Sequence, residues 1–324
     1  MRRRSLLTGL ALGGAGLAGC GLSSASGYLP EADPGSVRRV PSLEGVRIAV
    51  GSKNFTEQLI LGKIAGLVLR AAGADVADRT NLPGSAAARR QQVNGEVDVQ
   101  WEYTGTAWLS YLGQSEGIPD AAEQYEVVRA MDLADNQLVW LSPSAVNNTY
   151  AVATRSEFAA EFGLVRFSDV AGLPVEQRTF AVESEFASRN DGFVPMLETY
   201  GMPLGAPDGV PRENVSTLDT GVVYTATDSG QVNFGEVFAT DGRIEALDLT
   251  VLEDDRAFFP AYNACLVARQ DVLVAHPVIA DVLLPVSDAL TNDVLVQLNL
   301  QVDVEGREPA DVALEWLRSA GFVS

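Results

Sequence analysis

From Val46 onward, short apolar runs of strand character alternate with amphipathic helical stretches, and that alternation leaves few folds open. Val46-Arg47-Ile48-Ala49-Val50 reads as a strand leading into Gly51-Ser52-Lys53-Asn54. A helix is predicted from about 56 to 72, because Leu59, Ile60, Ile64, Leu67 and Val68 recur at helical spacing before Gly73 stops it. A strand and loop at 74–82 follow, then a helix at 85–93 closed by Asn94-Gly95, a strand at 97–101, helices near 105–112 and 120–134, and a strand at 137–141. After a polar turn at Asn147-Asn148 the alternation resumes, with strands at 150–154, 179–182, 231–238 and 246–252 and helices at 192–200 and 219–229. From Ala264 the chain is apolar, and mostly helical after Asp271. The expected fold class is α/β with covered sheet faces. Ligands of such sheets bind beyond the carboxyl ends of strands, which singles out the loops 51–56, 102–107 and 183–192.

The N-terminus carries a different message. Arg2, Arg3 and Arg4 precede an apolar stretch from Leu6 to Leu17 and the run Leu17-Ala18-Gly19-Cys20. A basic start, a short apolar core and small residues before a cut make a secretory signal. The core is shorter than the roughly 20 residues a membrane span needs. The run looks like a lipoprotein lipobox, in which Cys20 becomes the lipidated first residue. Arg3-Arg4-Ser5-Leu6-Leu7 also resembles a twin-arginine signal, and plain basic leaders look similar, so the export route stays open. Residues 1–19 are expected to be the signal and 20–44 a flexible Ser-, Gly- and Pro-rich tether. The expected location is extracytoplasmic, lipid-anchored to the cell membrane.

Charge and rare residues narrow the chemistry. Removing 1–19 removes three arginines and no acid, taking the formal charge from −20 to −23. Such a surface argues against nucleic acid. His276 is the only histidine, which excludes a His-based triad or a multi-His metal site. His276-Pro277 reads as a turn or helix start. Cys265, in Ala264-Cys265-Leu266-Val267, reads as a buried inert thiol. There is no Gly-x-Ser-x-Gly elbow and no nucleotide fingerprint, so an enzyme is poorly supported and no cofactor is expected.

Each suspect loop has residues suited to a ligand. Lys53, with the free N–H groups of the helix behind it, makes a plausible anion site, with Asn54 or Thr56 able to cap. Glu102-Tyr103-Thr104-Gly105-Thr106 packs hydroxyls and an aromatic at a strand end, while Trp101 and Trp108 read as core. Arg189 can grip a carboxylate with two parallel hydrogen bonds. Glu183 and Glu185 read as solvent-facing, and Asp241 as part of a turn.

The blocks Gly51-Ser52-Lys53-Asn54-Phe55-Thr56-Glu57-Gln58, Asn94-Gly95-Glu96-Val97-Asp98, Glu102-Tyr103-Thr104-Gly105-Thr106-Ala107, Arg189-Asn190-Asp191-Gly192, Thr240-Asp241-Gly242-Arg243-Ile244 and Phe259-Pro260-Ala261-Tyr262 stand in one order along the chain. In that order they resemble the substrate-binding proteins of ABC importers for glycine betaine, choline and related osmoprotectants, over nearly all of 46–320. The resemblance implies a two-lobed periplasmic-binding-protein fold of type II-like form, with a ligand cleft that closes by a hinge. Lobe 1 is expected to comprise 45–146 plus 255–324, and lobe 2 147–254.

By position, the resemblance makes Tyr103, Tyr150, Phe238 and Tyr262 an aromatic box for a quaternary ammonium, and Lys53, Thr106 and Arg189 a clamp for a ligand carboxylate. Position 238 departs from the usual Tyr, which keeps the ring and loses a hydroxyl. The chemistry suits the ligand: a trimethylammonium has no N–H to donate, and ring faces attract it at about 0.5–2 kcal/mol each. The implied partners are a small quaternary ammonium molecule, an ABC permease with its ATPase, and the membrane through the N-terminal lipid, the protein itself being a monomer. Glycine betaine leads, because the clamp has no use on choline. A choline or carnitine binder, an amino-acid binder, an enzyme on the same fold and an adhesive lipoprotein are the rivals.

Overall fold

The computed structural model describes residues 27–324, so Cys20, the signal and the first part of the tether lie outside the described residues. Among the described residues, ten strands form two five-stranded sheets. In chain order they are β1 (Arg47–Lys53), β2 (Asp75–Leu82), β3 (Val99–Tyr103), β4 (Leu138–Trp140), β5 (Tyr150–Arg155), β6 (Phe180–Glu183), β7 (Val215–Leu218), β8 (Phe234–Phe238), β9 (Leu249–Leu252) and β10 (Ala264–Arg269). The first sheet runs β2-β1-β3-β10-β4 and the second β7-β6-β8-β5-β9, each the centre of one lobe. In the first, β1 lies parallel to β2 and β3, and β10 enters antiparallel between β3 and β4. In the second, β6 lies parallel to β7 and β8, and β5 lies antiparallel to β8 and β9.

The helix α1 (Thr56–Ala71) is buried on nearly every side, because the C-terminal helices Asn292–Asp303 and Pro309–Ser319 pack on it from outside. That explains its near-continuous apolar sequence. Its one interior cation, Lys63, is paired with Asp78 on β2 and donates to the Tyr28 carbonyl at 2.9 Å. Gly73 and Gly95, at φ +110° and +78°, end α1 and α2 (Gly84–Val93) in the left-handed conformation that side chains resist.

Two crossings join the lobes, and they pair with each other. Asn147 and Asn263 form an antiparallel bridge, Tyr262 N–H donates to Asn147 Oδ1 at 2.7 Å, and Asn148 N–H donates to the Tyr262 carbonyl at 3.1 Å.

Several expectations shift. The third strand sits two residues later than its alternation suggested, at Val99–Tyr103, with all five residues buried. A strand buried on both faces has no polar side to mark its ends. Neither Asn54 nor Thr56 caps α1: Phe55 holds the cap position without a side-chain bond, Thr56 Oγ1 donates to Asp303 at 2.6 Å, and Asn54 Oδ1 accepts from Gly84 N–H. Asp241 closes the expected turn, its N–H on the Phe238 carbonyl at 3.0 Å, but it is buried and bound to Arg243. Trp108 is only half-buried, its ring N–H on the Glu116 carbonyl. Trp101 and Cys265 are core, and burial pushes the Cys265 thiol far above its ordinary range, so it stays protonated.

Candidate functional site

A cavity of about 410 Å³ opens between the lobes where the strands of both sheets end. Tyr103 reaches it from the end of β3 and Tyr262 from the second crossing, while Tyr150 starts β5 and Phe238 ends β8. Register explains the last pair: Tyr150 and Phe238 are directly opposed across β5 and β8. Their rings lie 5.3 Å apart, and Tyr262 meets Tyr150 edge-on at 5.6 Å. Phe55 also lines the cavity, stacked 5.1 Å from Phe238 and 6.2 Å from Tyr103 at shallow angles. It thus stands between two of the four expected rings.

Two of these rings already carry a cation. Lys53 Nζ lies 5.0 Å from the Tyr103 ring centre, and the Arg189 guanidinium 5.4 Å from that of Tyr150. Both cations also have buried counter-ions. Lys53 pairs with Glu102 at 2.8 Å, and Glu102 is held in turn by Tyr111 OH at 2.8 Å. Arg189 donates through Nε and Nη2 to Asp191, and through Nη1 to Glu185 at 3.2 Å. Asp191 also accepts from Tyr262 OH, so Arg189 reaches two rings, one by its face and one through a carboxylate.

The expected clamp is therefore only partly assembled. Lys53 and Thr106 line the cavity, whereas Arg189 lies behind Tyr150 with its donors engaged. The acids of the third loop are not solvent-facing either. Glu183 and Glu185 line the cavity; Glu183 accepts from Phe186 N–H at 2.8 Å, and Glu185 accepts from Ser85 N–H of the other lobe at 3.0 Å.

Glu57, in the first turn of α1, ties the parts together. Its carboxylate accepts from Tyr103 OH at 2.6 Å, from Asn148 Nδ2 at 3.0 Å and from Thr240 OH, which lies beyond β8 in the other lobe. Burial raises its pKa, and these hydrogen bonds oppose the rise. Burial, then the Glu57 charge, hold the Tyr103 phenol well above its ordinary value, so it remains a donor. Beneath the cavity, Glu236 on β8 is 2% exposed and accepts from Glu183 N–H; burial and the Glu183 charge raise it to about 8.

All three suspect loops meet at this cavity. Sequence reasoning missed Phe55, Glu57, Asn148 and the cavity-facing role of Glu183 and Glu185. Phe55 was open to notice, as the aromatic side chain at the end of a strand-to-helix loop. Glu57 was not, because an acid in a helix's first turn reads as a partner of the helix dipole.

Among known proteins, a family model described as the substrate binding domain of ABC-type glycine betaine transport systems matches residues 46–319. The chain is 39% identical over 279 residues to a glycine-betaine-binding protein of Pseudomonas aeruginosa, covering 84% of this chain and 87% of that one. It is 32% identical over 278 residues to the glycine betaine-binding protein YehZ of Escherichia coli, covering 85% and 91%. A crystal structure titled as a glycine betaine/carnitine/choline ABC transporter superposes with a TM-score of 0.70 at 25% identity, covering 85% of this chain and 99% of that one.

Proposed function

This chain belongs to the family of substrate-binding domains of ABC-type glycine betaine transport systems, and from that membership we propose that it captures glycine betaine, or a related quaternary ammonium solute, outside the cytoplasm and hands it to a permease. It is a binding component and not an enzyme: the ligand leaves unchanged. The observation that carries the ligand class is the convergence of Tyr103, Tyr150, Phe238 and Tyr262 from both lobes on one cavity. Two of these rings already bind a protein cation by their faces, which is the attraction a trimethylammonium exploits.

Lys53 and Thr106 take the ligand carboxylate. Arg189 acts at one remove, orienting Tyr150 and, through Asp191, Tyr262. Glycine betaine leads over choline because Lys53 faces the cavity. A carnitine or choline binder is the second reading, supported by Glu183 and Glu185, which add negative charge to the same wall. Lipidation at Cys20 anchors the protein to the membrane, and it works as a monomer. No helix among the described residues is long and apolar enough to cross a membrane.

Calorimetric titration of residues 21–324 with glycine betaine, choline, carnitine and proline tests the reading. Saturable binding of a quaternary ammonium near micromolar Kd, about −8 kcal/mol, is expected. Tyr262→Ala should weaken it by roughly 100-fold, since it removes both a ring and a partner of Asp191. Binding of proline with no response to any quaternary ammonium would overturn it.

A further inference from the structure

The aromatic lining of the cavity ends at two side chains from opposite lobes. Phe55 precedes α1 in the first lobe, Phe238 closes β8 in the second, and their rings stack 5.1 Å apart at 19°. Both rings also line a neighbouring cavity of about 550 Å³. Its other walls are polar and charged, Glu57, Asp219, Asp241 and Arg243 among them. The Phe55–Phe238 pair is thus a partition between an aromatic space and a polar one.

Each half of the partition is held from behind. Asn54 Oδ1 accepts from Gly84 N–H at 3.1 Å, Thr56 Oγ1 donates to Asp303 at 2.6 Å, and the Phe55 carbonyl accepts from Leu59 N–H at 3.0 Å. These bonds fix the backbone on both sides of the Phe55 ring. Phe238 N–H donates to Tyr224 OH at 2.9 Å, and its ring leans on Tyr150 at 5.3 Å. Both phenylalanines are only half-buried, as suits a wall between two spaces rather than a core residue. Because the rings belong to different lobes, the partition exists only while the lobes are together.

The position of the ligand follows from the proposed function, on which this inference rests. Lys53 and Thr106, the contacts assigned to the carboxylate, line the aromatic cavity and not its neighbour. A betaine held there brings its N-methyl groups to the rings, Phe238 and its stacked partner included. We propose that Phe55 determines ligand size: with Phe238 it forms a gate that closes behind a compact trimethylammonium and excludes a longer substituent on nitrogen. A trimethylammonium stays on the near side and lets the two rings meet. A long N-substituent has to pass between them, which holds the rings, and with them the lobes, apart. The exclusion is steric and acts on closure, a repulsive element against the wrong ligand.

Two betaines of equal charge test the gate by calorimetry on the full chain. One is glycine betaine; the other has one N-methyl replaced by a hydroxyethoxyethyl group, whose oxygens suit the polar cavity. The parent should bind the substituted betaine about 30-fold more weakly than glycine betaine. Phe55→Ala should strengthen the substituted betaine by about 10-fold while weakening glycine betaine several-fold, since one ring wall is lost. The gain is the decisive readout, because damage to the fold would weaken both ligands. Phe55→Leu, which keeps apolar bulk, should give the same gain reduced to about 3-fold, and it decides if Phe55→Ala does not fold. A substituted betaine that binds the parent as tightly as glycine betaine, or that gains nothing in either variant, overturns the gate and leaves the proposed function standing. Failure of every quaternary ammonium to bind the parent overturns the proposed function, and the gate with it.

Discussion

An arginine behind an aromatic ring and an arginine facing a cleft look identical in a sequence. Arg189 was assigned to a ligand carboxylate by position, and the structure gives that guanidinium to Asp191, Glu185 and the Tyr150 face. Arg189→Ala should therefore weaken glycine betaine and choline about equally, by roughly 10-fold or more, because it loosens two rings. Lys53→Met should instead weaken glycine betaine by about 10-fold and choline far less, as expected when one charge-assisted contact is lost. Titration of both ligands against both variants separates the roles, and a betaine-selective loss in Arg189→Ala would restore the clamp. Glu236 gives a prediction in pH. Its folded pKa of about 8 exceeds the ordinary carboxyl value of 4.5, so between these values the folded state holds more protons than the unfolded one. Stability therefore falls as pH rises from about 4.5 to 8, and is flat beyond. Glu236→Gln should match the parent at pH 5 and exceed it at pH 9, by on the order of 2–5 kcal/mol, in denaturant titrations at the two pH values. That the four rings and Lys53 stand at the cavity was legible, because each is a distinctive side chain at or near the end of a readable strand or inside a recognisable block. Glu57 and Asn148 were not, since their importance comes only from what the fold brings to them.

Elements were legible where their periodicity met a strong stop. α1 and α2 ended where glycine demanded it. β7 escaped notice because it is a four-residue strand at the sheet edge, none of it fully buried, with too little alternation to separate it from loop. The loop after β3 shows how elements constrain the site. Gly105 has ordinary backbone angles but lies so close to Tyr262 that a Cβ there would come within 2.7 Å of the ring and 2.9 Å of the Ala261 carbonyl. Gly105→Ala should displace Tyr262, lowering affinity about 10-fold while costing roughly 1–3 kcal/mol of stability as an overpacked contact. Unchanged affinity in that variant would remove Tyr262 from the site. Further from the cleft, Asp132 on the helix Ala121–Asn136 joins Arg89 of α2 to the Trp140 ring N–H on β4, at 2.8 and 2.7 Å. Asp132→Ala strands a buried guanidinium and should cost about 3–5 kcal/mol in chemical denaturation, with ligand affinity preserved in the folded fraction.

At the scale of the whole molecule, the lobes meet around the cleft through the Phe55–Phe238 and Tyr150–Tyr262 ring contacts and through polar pairs, among them Glu57 with Thr240, Glu185 with Ser85, Asp191 with Tyr262 and Asp303 with Arg243. Polar contacts of this kind are worth about 1 kcal/mol each, small enough for a ligand's binding energy to outweigh. Thr240→Val should accordingly open the ligand-free protein, seen as a larger radius of gyration in X-ray scattering, and saturating glycine betaine should reverse it. The two-lobed arrangement was legible only through the family blocks, because alternation alone does not say which strands share a sheet. The sheets divide the chain unequally. All five strands of the second come from one unbroken stretch, 150–252, whereas β10 joins the first from the far side of that stretch, between β3 and β4. The second lobe has everything it needs as soon as its own segment exists. The first must keep a gap open between β3 and β4 until residues 264–269 arrive, having closed a loop of more than a hundred residues. The order of assembly is thus written into the route of the chain, and the lobe that begins first is the one that finishes last.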